Sequence, residues 1–303
     1  MVYSINMAVV PRDASTVIVL KEASTEGFEV FLLKRHEKSA FMGNNFVYPG
    51  GVVDKNDSDP EILSFCDSIP SDESQKELLP FMIAGIRELF EESGLLLAYD
   101  KNGLSFTVCD EARNECIHQY RDLLNKRKIT LKEILKKEGL FLALNQLYHY
   151  AHWITPEARP MRFNTHFFVA RYPEGQEASA DKTETTEGVW MQPGQALEQN
   201  LLTSLVLSPP TLKTLEDLSR FSTIEEVISF SKTGDKTPIL PLLLSFSNDW
   251  FLIFPWDLEY DNFKNGEIPA SPDHGTISTL ADNTTRILTR DGCNIPYCKK
   301  PDS

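Results

Sequence analysis

Apolar and polar positions first fall into short strand-like runs. Residues 14–21, Ala-Ser-Thr-Val-Ile-Val-Leu-Lys, predict a buried strand, and residues 28–35, Phe-Glu-Val-Phe-Leu-Leu-Lys-Arg, predict its partner across a turn containing Glu26-Gly27. A further short strand at 45–54 is interrupted by Pro49-Gly50-Gly51, and residues 55–80, rich in Asp, Ser, Pro and Glu, predict a loop. The period then changes to that of a helix over 81–93, between Pro80, which suits a first helical turn, and Gly94, which suits a C-terminal cap. Helices are predicted at 111–126 and 131–147, the second opened by the capping-box pair Thr130 and Glu133. Strand character returns at 150–154, 164–171 and around Val189-Trp190. Helices open again at Pro209-Pro210 and at Thr223, which has Glu226 in capping-box spacing. The last 60 or so residues are mixed and aromatic, with a hairpin expected at Asp291-Gly292.

Candidate chemistry sits on the helix at 81–93. At about 100° per residue, Met82, Ile83, Ile86, Leu89 and Phe90 fall on one side and Glu88, Glu91 and Glu92 on the other. Like charges three and four apart destabilise a helix by roughly 0.2–0.5 kcal/mol per pair. These also lie near the C-terminus, where the helix dipole disfavours anions. Arg87 projects about 100° away, so no basic residue is expected on the acidic face. A divalent cation would offset the repulsion, and hard oxygen donors suit Mg²⁺ or Mn²⁺. Ala84 and Gly85, one turn earlier, are expected to leave room there. The bland alternative is a solvated acidic face on a surface helix.

Composition narrows the partners. A formal net charge of −14 over 303 residues repels a nucleic-acid backbone, so nucleic acid is not an expected partner. With 41% apolar residues a sizeable core is available. No run approaches the roughly 20 apolar residues of a membrane span. The N-terminus lacks a secretory pattern, and the ending Lys300-Pro301-Asp302-Ser303 is not a peroxisomal address, so a cytoplasmic setting is expected. Cys66, Cys109, Cys116, Cys293 and Cys298 are odd in number and scattered, which argues against a disulfide framework. Cys293 and Cys298 would make only half a zinc site.

Gly51, Asp57 and Arg87-Glu88-Leu89-Phe90-Glu91-Glu92-Ser93-Gly94-Leu95 together resemble the Nudix box. There are two departures. Asp57 stands where the family has Glu, and 29 residues separate it from Arg87 instead of seven. The long spacer leaves Asp57's equivalence open, and its replacement is expected to matter far less than that of Glu92. Split boxes of this kind resemble the coenzyme A and acyl-coenzyme A diphosphatase branch. Further segments matching that branch are Phe41-Met42, Phe46 to Asp54, Trp153 to Glu157, Arg162 to Phe168, Glu184 to Glu187 before Trp190, and Pro209 to Leu212.

The resemblance implies a Nudix α/β/α sandwich, a mixed sheet between helices, with an inserted helical block at about 108–148 and a C-terminal helical extension. The hydrolase domain would span 8–200, with 201–303 packed on it and not independent. It implies metal-dependent hydrolysis of a nucleoside diphosphate linked to another group, releasing 3′,5′-ADP and 4′-phosphopantetheine if the substrate is coenzyme A. Glu88, Glu91, Glu92 and the Gly50 carbonyl would hold Mg²⁺ or Mn²⁺. The catalytic candidates are Glu88, Glu184 and Glu187 as base, with Arg87 pairing a carboxylate and orienting the helix. Arg35 and Arg162 are candidate phosphate contacts, and Phe46 and Gly51 further substrate contacts. For Phe46 and Trp153, stacking on adenine competes with core packing. ADP-ribose or NADH as substrate, and a non-catalytic nucleotide sensor, stand as alternatives. The added helices and the C-terminal region are candidates for homodimerisation.

Overall fold

The structure is a computed structural model that describes residues 9–39, 42–70, 72–108, 110–246, 249–269, 275–279 and 282–300. Phe41, Cys109, position 8 and the last three residues lie outside the described residues.

The chain opens with β1 (Arg12–Glu22) and β2 (Phe28–Arg35), followed by the very short β3 (Phe46–Val47) and β4 (Gly50–Val52). The predicted loop at 55–80 holds two 3₁₀ turns, Lys55–Ser58 and Pro60–Phe65, and the short α1 (Glu73–Lys76). α2 (Leu79–Ser93) ends where Gly94 takes φ 78°, a left-handed cap that suits glycine. β5 (Ala98–Tyr99), α3 (Glu111–Asn125) and α4 (Leu131–Glu138) follow. Thr130 and Glu133 form the expected capping box, but α4 stops well short of residue 147. Gly139 adopts φ 63° and ends it, and Phe141–Leu142 form β6. Next come β7 (Tyr148–Ile154), β8 (Phe163–Arg171) and β9 (Thr185–Met191). Then follow α5 (Pro193–Leu201), which no pattern in the sequence had marked, α6 (Pro209–Leu218) and α7 (Ile224–Thr233).

The tail is only partly the helical extension expected. It contains β10 (Leu242–Phe246), β11 (Asp249–Ile253), α8 (Tyr260–Lys264), β12 (Thr276–Ile277), β13 (Arg286–Arg290) and β14 (Cys293–Cys298). Its strands form a sheet of their own in the order β10-β11-β13-β14-β12, with the β13–β14 hairpin turning at Asp291-Gly292. Arg286, fully buried, is held there by Asp257 and Glu259.

The main sheet runs β3-β2-β1-β8-β7, with β4 added to β1 and β9 to β2. β1 and β8 are parallel, and the other pairings are antiparallel. Alternation along β1 decides the layers. Val17 and Val19 face a core shared with Ile83, Ile86, Leu89 and Phe90 of α2 and with α3 and α4. Ile18 and Leu20 face a second core, shared with Leu212 and Leu215 of α6, Val227 of α7, Leu252 and Ile287 of the C-terminal sheet, and Phe254 just after β11. The result is an α/β/α sandwich whose second outer layer is part helix and part sheet.

One pairing detail positions the site. β1 meets β2 only at Leu20–Glu22, and its other end, Ala14–Thr16, pairs with β4. The two strands diverge in between, and the Pro49-Gly50-Gly51 break fills the gap, with the Pro49 carbonyl accepting from Val17 N–H at 2.9 Å.

Candidate functional site

The acidic end of α2 lies against the diverging strands. Glu88, Glu91 and Glu92 all line one cavity of about 1500 Å³ together with Gly50, Gly51, Arg35, Asp57, Arg87, Asp181 and Glu184. Two glycines fix how closely helix and strands approach. A Cβ on Gly51 would lie 2.4 Å from a Glu88 carboxylate oxygen, and one on Gly85 would lie 2.8 Å from Ser15 Oγ. The space at Ala84 and Gly85 was expected to serve ligand. Instead both residues are buried, and the missing side chain at Gly85 lets α2 sit directly on β1.

Arg87 is a correction to the helical projection. Its guanidinium bonds Glu88 at 2.8 Å and Glu91 at 2.9 Å, because the long side chain curls back across the angle that its Cβ makes with the acidic face. It also binds Asp57 through Nε at 2.9 Å and a terminal nitrogen at 2.8 Å, and donates to the Val52 carbonyl at 2.9 Å. Asp57 is 2% exposed and accepts from the Asp54 backbone N–H at 2.7 Å. Asp57 therefore contacts the acidic helix through Arg87, although 29 residues separate the two in sequence.

Burial first, then mutual repulsion, governs these acids. Glu91 is pushed up to about 7 by burial and by Glu88, with Arg87 pulling the other way. Glu88 is raised by burial despite Arg87, with Glu184 and Asp57 adding to the rise. Glu92, 5% exposed, is raised well above its ordinary value by burial and by Glu88, although it accepts from Gly50 N–H at 2.9 Å. Burial works against the Arg87 charge, but Asp57, Glu88 and Glu91 more than restore it. Three acids thus share the Arg87 guanidinium, the Arg35 charge reaches Glu92, and with Glu184 beside them carboxylates still outnumber cations.

Among the described residues no three acidic, histidine or cysteine side chains converge on one point as a formed metal site. Arg87 bridging Glu88 and Glu91 accounts for that. The donor chemistry nonetheless fits a hard divalent ion: buried carboxylates in excess of cations, lining an open cavity.

The remaining candidates separate cleanly. Glu184 lines the cavity, and its charge reaches both Glu88 and Glu92. Glu187 is exposed on β9 opposite Lys34 and is not part of the cavity wall, so it does not join the acidic group. Arg35 lines the cavity, its guanidinium bonding Ser39 Oγ at 3.3–3.4 Å. Arg162 is buried, lies outside the cavity lining and donates to the Thr155 and Val9 carbonyls, at 3.0 and 2.7 Å, so the structure does not bring it to the acidic group. Phe46 is 6% exposed within the second core, with Lys34 over its ring, and does not line the cavity. Trp153 packs edge-on to Phe254 with ring centroids 5.8 Å apart, which favours core packing over stacking on adenine, although the residue also lines the cavity.

Reading the sequence missed a histidine cluster. His166 and His149 lie within 3.0 Å through Nδ1 and Nε2, and His152 stacks on His166 with centroids 4.0 Å apart. The register of β7 against β8 brings them together, and no spacing along one segment reveals that.

A family model described as the NUDT19 Nudix domain matches residues 63–220, just over half of the chain. The chain belongs to the NUDT19 Nudix domain family. The acyl-coenzyme A diphosphatase NUDT19 of Xenopus laevis is 28% identical over 246 residues, covering 69% of this chain and 64% of that protein. The chain therefore spans a little under two thirds of that relative's length. The putative nudix hydrolase 7 of Caenorhabditis elegans is 29% identical over 233 residues, covering 76% of this chain and 67% of the relative. Among solved structures, a Nudix hydrolase from Alicyclobacillus acidocaldarius superposes with a TM-score of 0.59 at 21% identity, covering 73% of this chain and 96% of its own. That likeness supports the Nudix α/β/α sandwich.

Proposed function

We propose that this Nudix chain hydrolyses the diphosphate bridge of coenzyme A or acyl-coenzyme A, with a divalent ion held by Glu88, Glu91 and Glu92. The buried carboxylate excess at the end of α2 carries the reading. The diphosphatase names of the relatives in frog, chicken and human point to the substrate class. When bound, Mg²⁺ or Mn²⁺ would neutralise the diphosphate and lower the pKa of a coordinated water.

The chain's own residues do the rest. Arg87, tied to Asp57, sets the direction of Glu88 and Glu91. Arg35, whose guanidinium has a serine hydroxyl as its side-chain partner among the described residues, is placed to pair with a phosphate oxygen. Glu88 and Glu184 are the candidate proton acceptors, and Glu187 drops out on position. The Gly50 carbonyl remains a candidate further ligand.

We keep residues 8–200 as the hydrolase domain and 201–303 as its extension, with the refinement that Pro209, Pro210, Leu252 and Asn294 of the extension also line the cavity. The four described cysteines are free thiols, which suits the cytoplasm, and no described helix is long and apolar enough to cross a membrane. The test is a panel of coenzyme A, acyl-coenzyme A, ADP-ribose and NADH with Mg²⁺ or Mn²⁺. Release of 3′,5′-ADP and 4′-phosphopantetheine is expected. Turnover of ADP-ribose with none of coenzyme A refutes the substrate.

A further inference from the structure

The cavity is larger than its acidic part needs. Small-molecule sites usually occupy about 300–1,000 Å³, and this one reaches about 1500 Å³. Part of the excess runs along Leu124, Asn125, Leu131 and Lys132 of α3 and α4, and part lies on the other side of the main sheet. Besides the glutamates of α2 the lining includes Thr165 and Phe167 of β8, Trp153 of β7, Pro209 and Pro210 of α6, and Leu252 of β11. Phe167, Trp153 and Leu252 belong to the second core, on the opposite face of the main sheet from α2. By alternation along β8, Thr165 faces the same way as Phe167. One continuous space therefore passes from the acidic face, around the Pro49-Gly50-Gly51 break where β1 and β2 diverge, into a lobe between the two sheets.

The chemistry of that lobe differs from that of the acidic part. The six residues named from β7, β8, α6 and β11 carry no charge. Two polar atoms are buried in its walls without a hydrogen-bond partner, the Trp153 indole N–H and the Tyr48 hydroxyl. Leaving such a group unpaired costs about 1–3 kcal/mol. An indole N–H can only donate, so the partner it lacks is an acceptor such as an amide carbonyl.

We infer that this lobe receives the non-nucleotide half of the substrate as an extended, uncharged chain of methylenes and amides, its carbonyls accepting from the walls. The inference rests on the diphosphatase reading, because it takes the diphosphate to lie at the α2 glutamates. A pantetheine arm has this chemistry. A ribose, dense in hydroxyls, or a second charged nucleotide does not.

The test uses the full chain, wild type and Thr165→Phe, which would put a ring into the lobe. Two readouts are taken: Mg²⁺-dependent coenzyme A hydrolysis, and calorimetric titration with free pantetheine, which carries the arm without a diphosphate. We expect the KM for coenzyme A to rise at least about tenfold in Thr165→Phe, the change falling on KM and not on kcat, as for lost uniform binding. Pantetheine should bind the wild type and not the variant. Unchanged KM and unchanged pantetheine binding in a variant with native circular dichroism overturn the inference, as does absence of pantetheine binding to the wild type. If no protein turns over coenzyme A, the diphosphatase reading fails, and the pantetheine titration still decides the lobe. Should Thr165→Phe not fold, Trp153→Phe replaces it, keeping an aromatic ring and removing the donor. A KM rise of about five- to tenfold is then expected, one hydrogen bond's worth, and an unchanged KM overturns the inference.

Discussion

Replacing Asp57 by alanine probes the support beneath the acidic helix. The side chain is 2% exposed and holds Arg87 through two bonds of 2.8 and 2.9 Å. Stranding one charge of a buried pair costs about 3–5 kcal/mol. Arg87 would not be fully stranded, because Glu88, Glu91 and the Val52 carbonyl stay in reach. That lowers the cost to about 2–3 kcal/mol. Loss of the capping box that Asp54 and Asp57 share over the 3₁₀ turn adds about 0.5–1 kcal/mol. A total near 3 kcal/mol lowers Tm by about 6–9 °C at 2–3 °C per kcal/mol. The same change frees Arg87 to sit more fully on Glu88 and Glu91, where it competes with a cation. The Mg²⁺ concentration for half-maximal activity should rise about tenfold, in line with other losses of a partner behind a ligand. Scanning calorimetry and an Mg²⁺ titration of activity measure both effects. A Tm within about 1 °C of wild type with an unchanged Mg²⁺ requirement would refute the reasoning, since both effects follow from one buried contact.

Three further outcomes follow from the geometry. Gly51→Ala puts a Cβ 2.4 Å from the Glu88 carboxylate, so the carboxylate must turn away and turnover should fall at least about tenfold, as when a ligand's orientation is lost; wild-type rates would contradict that. Burial and neighbouring histidines push His166 down to about 3, and burial with the Lys236 charge pushes His149 down to about 4. Their unfolded imidazoles protonate near pH 6.5, so the unfolded chain binds more protons below that value, and these groups subtract stability as pH falls from 6.5 toward 4. Urea midpoints should fall more steeply over that window in wild type than in the His149→Gln/His166→Gln double variant, and parallel curves would show the histidines are not responsible. Arg162→Ala should lower stability by about 2 kcal/mol through two unpaired carbonyls while leaving the KM for coenzyme A unchanged, whereas a raised KM with native Tm would restore Arg162 as a phosphate contact.

How far the residues spoke for themselves depended on the range of each interaction. The helix over 81–93, its glycine cap, the Thr130 and Thr223 capping boxes and the strands of the main sheet are local patterns, and the structure carries them at nearly the expected bounds. The helix expected to reach 147 ends at 138 because Gly139 takes a left-handed turn, a stop that the glycine itself signals in the sequence. Of the C-terminal sheet only the Asp291-Gly292 hairpin was legible, because the other strands are short and pair with partners distant in sequence. The site divided the same way. Three carboxylates on one helix face are visible in any projection. The Arg87–Asp57 contact joins residues 30 apart in sequence, and the fate of Arg162 depends on where residue 9 runs, so neither is a matter of spacing.

Glu92→Gln tests the central claim most directly. The amide oxygen can still accept from Gly50 N–H, so the fold has no reason to fail, while the negative charge a divalent ion needs is removed. Coenzyme A hydrolysis with saturating Mg²⁺ should drop at least about a hundredfold with native Tm, as expected when a metal-binding group is lost. Near-wild-type turnover by the folded variant would contradict the assignment of the α2 carboxylates as the metal-binding, catalytic face.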